Sequence, residues 1–133
     1  MAIATQTLLD GERLAILKFT NDSGTSETAA LKVDVSTLAR SAAGFACNGV
    51  VINKIWSVSH GMEVQILWDA TTDVFAWGIP QNSNYLMDFS SFGGLPNNAN
   101  SGKTGNVLFT TLDASPGDFY AITIEFIKTY ATV

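Results

Sequence analysis

The sequence predicts an all-β fold, an antiparallel β-sandwich of jelly-roll type with about eight strands, and three features carry that prediction. Apolar and polar residues alternate with period two, clusters of Gly, Asn, Asp and Ser punctuate the alternation at regular spacing, and almost no stretch shows the 3.6-residue spacing of a helix. An immunoglobulin-like topology is the rival, but one cysteine cannot make the bridge of antibody domains. The chain reads as a single domain, residues 1–133, without linker or repeat, and is long enough to bury a core without disulfide or metal.

Each element follows from its own pattern. In ERLAILKFT, Ala15, Leu17 and Phe19 point one way and Leu14, Ile16 and Lys18 the other, which is a strand with one fully apolar face. After the turn NDSGTS, ETAALKVDV sets Ala29, Leu31, Val33 and Val35 against Ala30, Lys32 and Asp34, and a hairpin between these two strands is expected. DVSTLARSAAGFACNG, rich in small residues, is a connection between sheets with room for one helical turn capped by Ser36. VVINKIWSVSH follows as a strand with Ile52, Trp56 and Val58 on one face. Gly61 then turns the chain into MEVQILWD, where Met62, Val64, Ile66 and Trp68 share a face, so a second hairpin is expected here. DATTD is a turn, and VFAWGIP is a strand ended by Pro80, which lacks a backbone donor. A short strand in YLMDFSSF, the strand NVLFTTL and the closing DFYAITIEFIKTYA complete the set. In the last, Tyr120, Ile122, Ile124 and Phe126 face inward while Thr123 and Glu125 face out.

Composition narrows the function. Charged residues make up 14%, against roughly 25% in a typical soluble protein, which fits either a compact β domain surfaced by Ser, Thr and Asn or a surface partly buried against neighbours. A net charge of -5 with basic residues scattered singly argues against nucleic acid, which demands clustered Lys and Arg. MAIATQTLLDGERLA has no basic segment followed by a long apolar run, and no apolar run approaches the ~20 residues that span a bilayer, so neither a signal peptide nor a membrane partner is expected. A lone Cys47 fits synthesis in a reducing cytosol.

Candidate chemistry is sparse. FGGLPNNANSGKTGN contains GKT, but a phosphate loop needs a glycine where Asn97 stands and a helix where VLFTTL reads as a strand. Its Asn and Gly residues suit an ordered loop with positive φ angles. His60 is the one histidine, so a catalytic triad would have to be built around it, and its place beside Gly61 reads as a turn. A zinc or copper site of ordinary composition cannot be assembled without a second His or Cys, and Asp69, Thr71, Thr72 and Asp73 lack the calcium-loop spacing. No catalytic, cofactor or metal residue is assigned, and the protein is expected not to be an enzyme. Trp56 and Trp68 share faces with aliphatic residues and are expected in the core. Trp77, with Asn82, Asn84 and Tyr85, is the candidate glycan contact, aromatic rings being platforms for sugars.

Taken together, LLDGERLAILKFTNDSGTSE, KVDVSTLA, VINKIWSV, VQILWDATTDV, DFSSFGGLPNNANSGKTGNVLFTT and YAITIEFIKTY resemble small virion structural proteins of tailed bacteriophages, especially those infecting cyanobacteria and other aquatic bacteria. The resemblance implies a capsid decoration, or cement, protein of β-sandwich fold on the outer capsid surface, made in the host cytoplasm and bound across junctions of the major capsid protein. A homo-oligomer is expected, a trimer on a local three-fold axis being preferred, with a tail or adsorption component as the alternative role. On this reading Phe92 and Leu95 are apolar anchors of a contact loop, Asn97, Asn98 and Asn100 its adaptable hydrogen-bonders and Lys103 its cation, while AIATQTLL reaches onto a neighbour.

Overall fold

The uninterrupted period-two runs become strands in the computed structural model, which describes residues 3–131. In chain order these are β1 (Ile3–Asp10), β2 (Leu14–Asn21), β3 (Ala30–Val33), β4 (Cys47–His60), β5 (Glu63–Trp68), β6 (Val74–Ile79), β7 (Asn84–Asp88), β8 (Val107–Leu112) and β9 (Phe119–Tyr130). They form two antiparallel sheets, ordered β1-β2-β9-β4-β7 and β3-β8-β5-β6. The short turn at Val35–Thr37 is a 3-10 turn capped by Asp34 rather than by Ser36, since the Asp34 carboxylate accepts from the Ser36 N–H. The Ala2 end of the N-terminal stretch lies outside the described residues, and the rest of it, expected only as an arm, is the edge strand β1.

The pairing is that of a jelly roll. One arm of an antiparallel ribbon runs out through β2, β3, β4 and β5, and the other returns through β6, β7, β8 and β9, giving the pairs β2·β9, β3·β8, β4·β7 and β5·β6. Rolling the ribbon adds β4·β9 and β5·β8 and separates successive strands of one arm into opposite sheets. For this reason both expected hairpins fail. β2 and β3 do not pair, and VINKIWSVSHGMEVQILW is a corner between sheets rather than a hairpin. At that corner Gly61 has φ +81, and a Cβ on it would fall 2.0 Å from the Asp118 carboxylate, so only glycine fits the bend. The tight hairpins are β1–β2 and β5–β6.

Between the sheets lies one core. Ala15, Leu17 and Phe19 of β2, Met62, Val64, Ile66 and Trp68 of β5 and its approach, and Tyr120, Ile122, Ile124 and Phe126 of β9 are buried, as their alternation predicts. Each large aliphatic or aromatic side chain removed from water there contributes about 1.5–3 kcal/mol. Phe109 of β8 sits edge-on between Phe19 and Tyr120, at ring distances of 5.1 and 5.9 Å, and ties the layers together.

Bulges change the phase of two strands. In β4 the register shifts between Ile52 and Lys54, with Asn53 held by its carbonyl accepting from Phe89 N–H at 2.8 Å and its amide donating to Glu125 at 2.6 Å. Before the shift Val50 and Ile52 are buried; beyond it Ile55, Ser57 and Ser59 are, so Trp56 and Val58 turn outward. Trp56 is therefore a surface residue, 39% exposed, and not the core residue its neighbours suggested. A shift between Leu31 and Val33 likewise turns Leu31 out and Lys32 in.

Candidate functional site

The buried charges hold the sandwich together. Lys32 forms an ion pair with Glu27, whose carboxylate also accepts from Tyr120 Oη at 2.6 Å and Asn21 Nδ2 at 3.2 Å, and the Lys32 ammonium lies 5.7 Å from the Phe109 ring centre. Every group in this cluster has a partner, as the expense of isolating a charge in a core requires. Burial pushes the Tyr120 phenol far up from its ordinary range, and the hydrogen bond to Glu27 and the charge of Glu27 push it further. At the other end Lys128, its side chain wholly buried, donates to Asp10 at 2.7 Å and to the carbonyls of Gly11 and Ala39 at 2.8 Å each. Desolvation pulls the Lys128 ammonium down, but hydrogen bonds to Asp10 and Tyr130 and their charges outweigh it, leaving the group above its ordinary value. Tyr130 Oη donates to the Glu12 carbonyl beside it. These contacts pin the β1–β2 turn and the 39–42 segment onto β9.

The loop carrying GKT is a structural loop. Thr104 Oγ1 donates to Asp69 at 2.8 Å, Thr71 N–H to the Ser101 carbonyl at 3.0 Å and Asp69 N–H to the Asn106 carbonyl at 3.1 Å, so residues 101–106 are strapped to the DATTD turn. Gly102 has φ +74, and a Cβ on it would meet Thr71 Oγ1 at 2.0 Å, which explains the glycine without a phosphate. Asp73 accepts from Ala70 N–H three residues before it, closing the DATTD turn on itself in place of the expected Asx turn. His60 is exposed at the end of β4, its ring stacked on Phe119 at 5.5 Å. Cys47 is buried, which raises its thiol, and donates weakly to the Gly49 carbonyl. Among the described residues no three His, Cys, Asp or Glu side chains gather as metal ligands would.

The residues expected as contacts are divided. Phe92, at the end of the 3-10 turn Ser90–Phe92, is 65% exposed, and Asn98, Asn100 and Lys103 are exposed as well. Leu95 is not an outward anchor: its backbone bridges Ile52 with bonds of 2.7 and 3.1 Å and its side chain packs on the core. Asn97 serves the loop itself, its Oδ1 accepting from Ala99 N–H at 2.9 Å. Lys103 and Asn97 line a cleft of about 300 Å³ with Asn48, Val50 and Thr129. Nor do Trp77, Asn82, Asn84 and Tyr85 form a platform. Trp77 packs edge-on against Phe89 at 4.9 Å and its Nε1 donates to Tyr85 Oη at 3.4 Å, so both rings turn toward the interior, while Asn82 accepts from Gly61 N–H and Asn84 is exposed.

What the pattern reading missed are the outer faces. On the smaller sheet the directly opposed pairs Leu31–Leu108, Leu108–Leu67 and Leu67–Phe75 make one apolar row across all four strands. Leu31 and Phe75 at its ends are each 54% exposed. Phe75 lies over Gly78, where a Cβ would meet the ring at 2.9 Å, so the glycine lets the aromatic ring cover an edge strand. On the larger sheet Trp56 faces Leu86 and Thr123, and Val58 faces Asn84 and Ala121; together they line a shallow groove of about 460 Å³. Lys54, opposed to Asp88 and Glu125, bounds that groove with charge. Hydrogen bonds from the side chain and backbone of Ser90 hold the Asp88 carboxyl below its usual range. The row Leu31–Phe75 was hidden by the bulge in β3 and by the unknown pairing, and Trp56 by the bulge at Asn53.

No protein-family model matches the chain, and no curated protein matches it. Among solved structures, an RmlC-like cupin protein from Desulfovibrio desulfuricans aligns with a TM-score of 0.32 and 12% identity, covering 92% of this chain and 81% of that chain. At that score and identity the likeness carries no functional inference.

Proposed function

We propose that this chain is a phage virion structural protein, a capsid decoration protein that works by burying its outer sheet faces against major capsid protein across junctions of the shell. The observation that carries the reading is the apolar row Leu31–Leu108–Leu67–Phe75 across the outer side of a whole sheet, in which Leu108 is covered by its neighbours, Leu67 is half-buried and the ends Leu31 and Phe75 are open to a partner. A lone exposed leucine is ordinary, but an aligned row ending in two half-exposed large side chains is a surface suited to a partner. Phe92 and the exposed Asn side chains of its loop add a rim of adaptable contacts. The resemblance to small tailed-phage virion proteins supports the same role, and the mechanism needs no reactive group: surface buried at each junction adds binding free energy that opposes expansion of the shell.

The test is binding to purified shells, which should saturate at a stoichiometry set by the lattice symmetry. Replacing Leu31 and Phe75 together by Ser should weaken that binding roughly a hundredfold, about 2 kcal/mol for each anchor being partly additive, while leaving the fold intact. Finding the protein only on tails would overturn the proposal. The groove around Trp56 favours a second reading, a tail or adsorption component that stacks a host sugar on the exposed indole beside Asn84. Under that reading Trp56→Ala abolishes glycan binding and leaves shell binding unchanged.

A further inference from the structure

Strand β1 is ordered as part of a sheet yet buries almost nothing. It pairs with β2 from Ile3↔Asn21 to Asp10↔Ala15, and its other edge is the free edge of the five-stranded sheet. Every residue from Ile3 to Leu9 is exposed, including the apolar Ile3, Leu8 and Leu9. Ordering a residue costs about 1–2 kcal/mol, and side-chain burial in this protomer returns little of it along β1.

The edge is also unguarded. Natural edge strands are shortened, bent, or supplied with Lys, Pro or inward charges. The other free edges comply: β3 has four residues and turns Lys32 inward, β7 has five and ends at Asp88, and β6 runs into Pro80. By contrast β1 has eight residues and no charge from Ile3 to Leu9, in a chain of net charge -5. Two copies of such a chain repel overall, and this neutral run is where they approach with least opposition.

We infer that β1 is a self-association strand, pairing antiparallel with β1 of a second copy about a two-fold axis at Thr5. The register shift between Thr7 and Leu9 ends the regular stretch, which leaves Ile3–Thr7 as the overlap. Centred on Thr5, the pairing sets Thr5 opposite Thr5, Ala4 opposite Gln6 and Ile3 opposite Thr7, each pair on a common face and none bringing like charges together. The faces agree with the β1–β2 register, in which Ile3, Thr5 and Thr7 oppose Asn21, Phe19 and Leu17, the inward residues of β2. Two five-stranded sheets thereby become one sheet of ten, and the Trp56 faces of both copies lie on the same side of it. An isologous contact of this kind closes at two copies, so the building block is a dimer in place of the expected trimer. The inference concerns the protein in solution and does not rest on the shell reading.

The experiment is sedimentation velocity of the purified full chain across a concentration series, with Thr5→Lys and Thr5→Glu variants alone and mixed. The wild type should dimerise. Each variant, which places its new charge against its own copy, should dissociate at least roughly tenfold more readily, with a thermal midpoint unchanged at dilutions where the wild type is itself monomeric. The equimolar mixture should recover the dimer, because Lys then faces Glu across the axis. Should a variant fail to fold, amide exchange of the wild type serves instead: protection of the β1 amides must rise with protein concentration. A wild type that stays monomeric at every concentration, an oligomer untouched by both variants, or a mixture that stays dissociated would each overturn the inference.

Discussion

Strands β1 and β9 flank β2 from its two sides and are bonded to it by similar antiparallel ladders, Ile3–Asp10 on one side and Tyr120–Ile127 on the other. Their side chains have opposite fates. On β9, Tyr120, Ile122, Ile124 and Phe126 are buried between the sheets, and Lys128 is locked into a buried knot. On β1 nothing from Ile3 to Leu9 is buried. A ladder of backbone hydrogen bonds is thus compatible with both a keystone and an overhang, because its net contribution is small and what lies across the sandwich decides the rest. β9 has the four-stranded sheet opposite it; β1 is left over at the end of the wider sheet.

The contrast breaks first on β9. Phe126→Ala removes a fully buried ring and should cost about 3–5 kcal/mol in urea denaturation; a loss below 1 kcal/mol would mean the two strands are energetically alike. A middling effect is expected from pH. Tyr120 and Lys128 both hold their protons more tightly when folded, so the unfolded chain releases them first. Stability from these groups is complete below about pH 10 and is lost as pH rises through their folded values. Thermal midpoints should fall steeply on the alkaline side, and Tyr120→Phe should make that fall shallower. The smallest effect belongs to β1, where Leu8→Ser should shift the unfolding free energy of the monomer by no more than about 0.5 kcal/mol, half-exposed as the side chain is. The same change at Ile3, which lies inside the Ile3–Thr7 overlap, should cost more only at high protein concentration, and that dependence would sharpen the contrast by showing that β1 is stabilised by a second copy.

Legibility in the sequence tracks the same division. The inward faces of β2, β5 and β9 were readable because each keeps an unbroken period of two, and side-chain direction along a strand is a local property. Trp56 and Leu31 were not, since a single extra residue at a bulge reverses every later side chain and leaves no mark in composition. Alternation sets Lys32 on the face opposite Leu31 and Val33; its acceptance inside depends on Glu27, Tyr120 and Phe109, contributed by three other parts of the chain. Of the contact loop, the exposure of Phe92 and Lys103 was foreseeable, whereas the retreat of Leu95 onto Ile52 was not.

From the order of residues alone came the class of fold, the sandwich core and the scarcity of charge, all of which follow from periodicity and composition acting within a few residues. Which strand pairs with which was decided only in three dimensions. Alternation says that a strand has an inner face but not whose inner face it meets, and the rolled ribbon sends neighbours such as β4 and β5 to opposite sheets. The same long-range choice aligned Leu31, Leu108, Leu67 and Phe75 into one row and left β1 without a layer to cover it, because both depend on register between segments far apart in the chain.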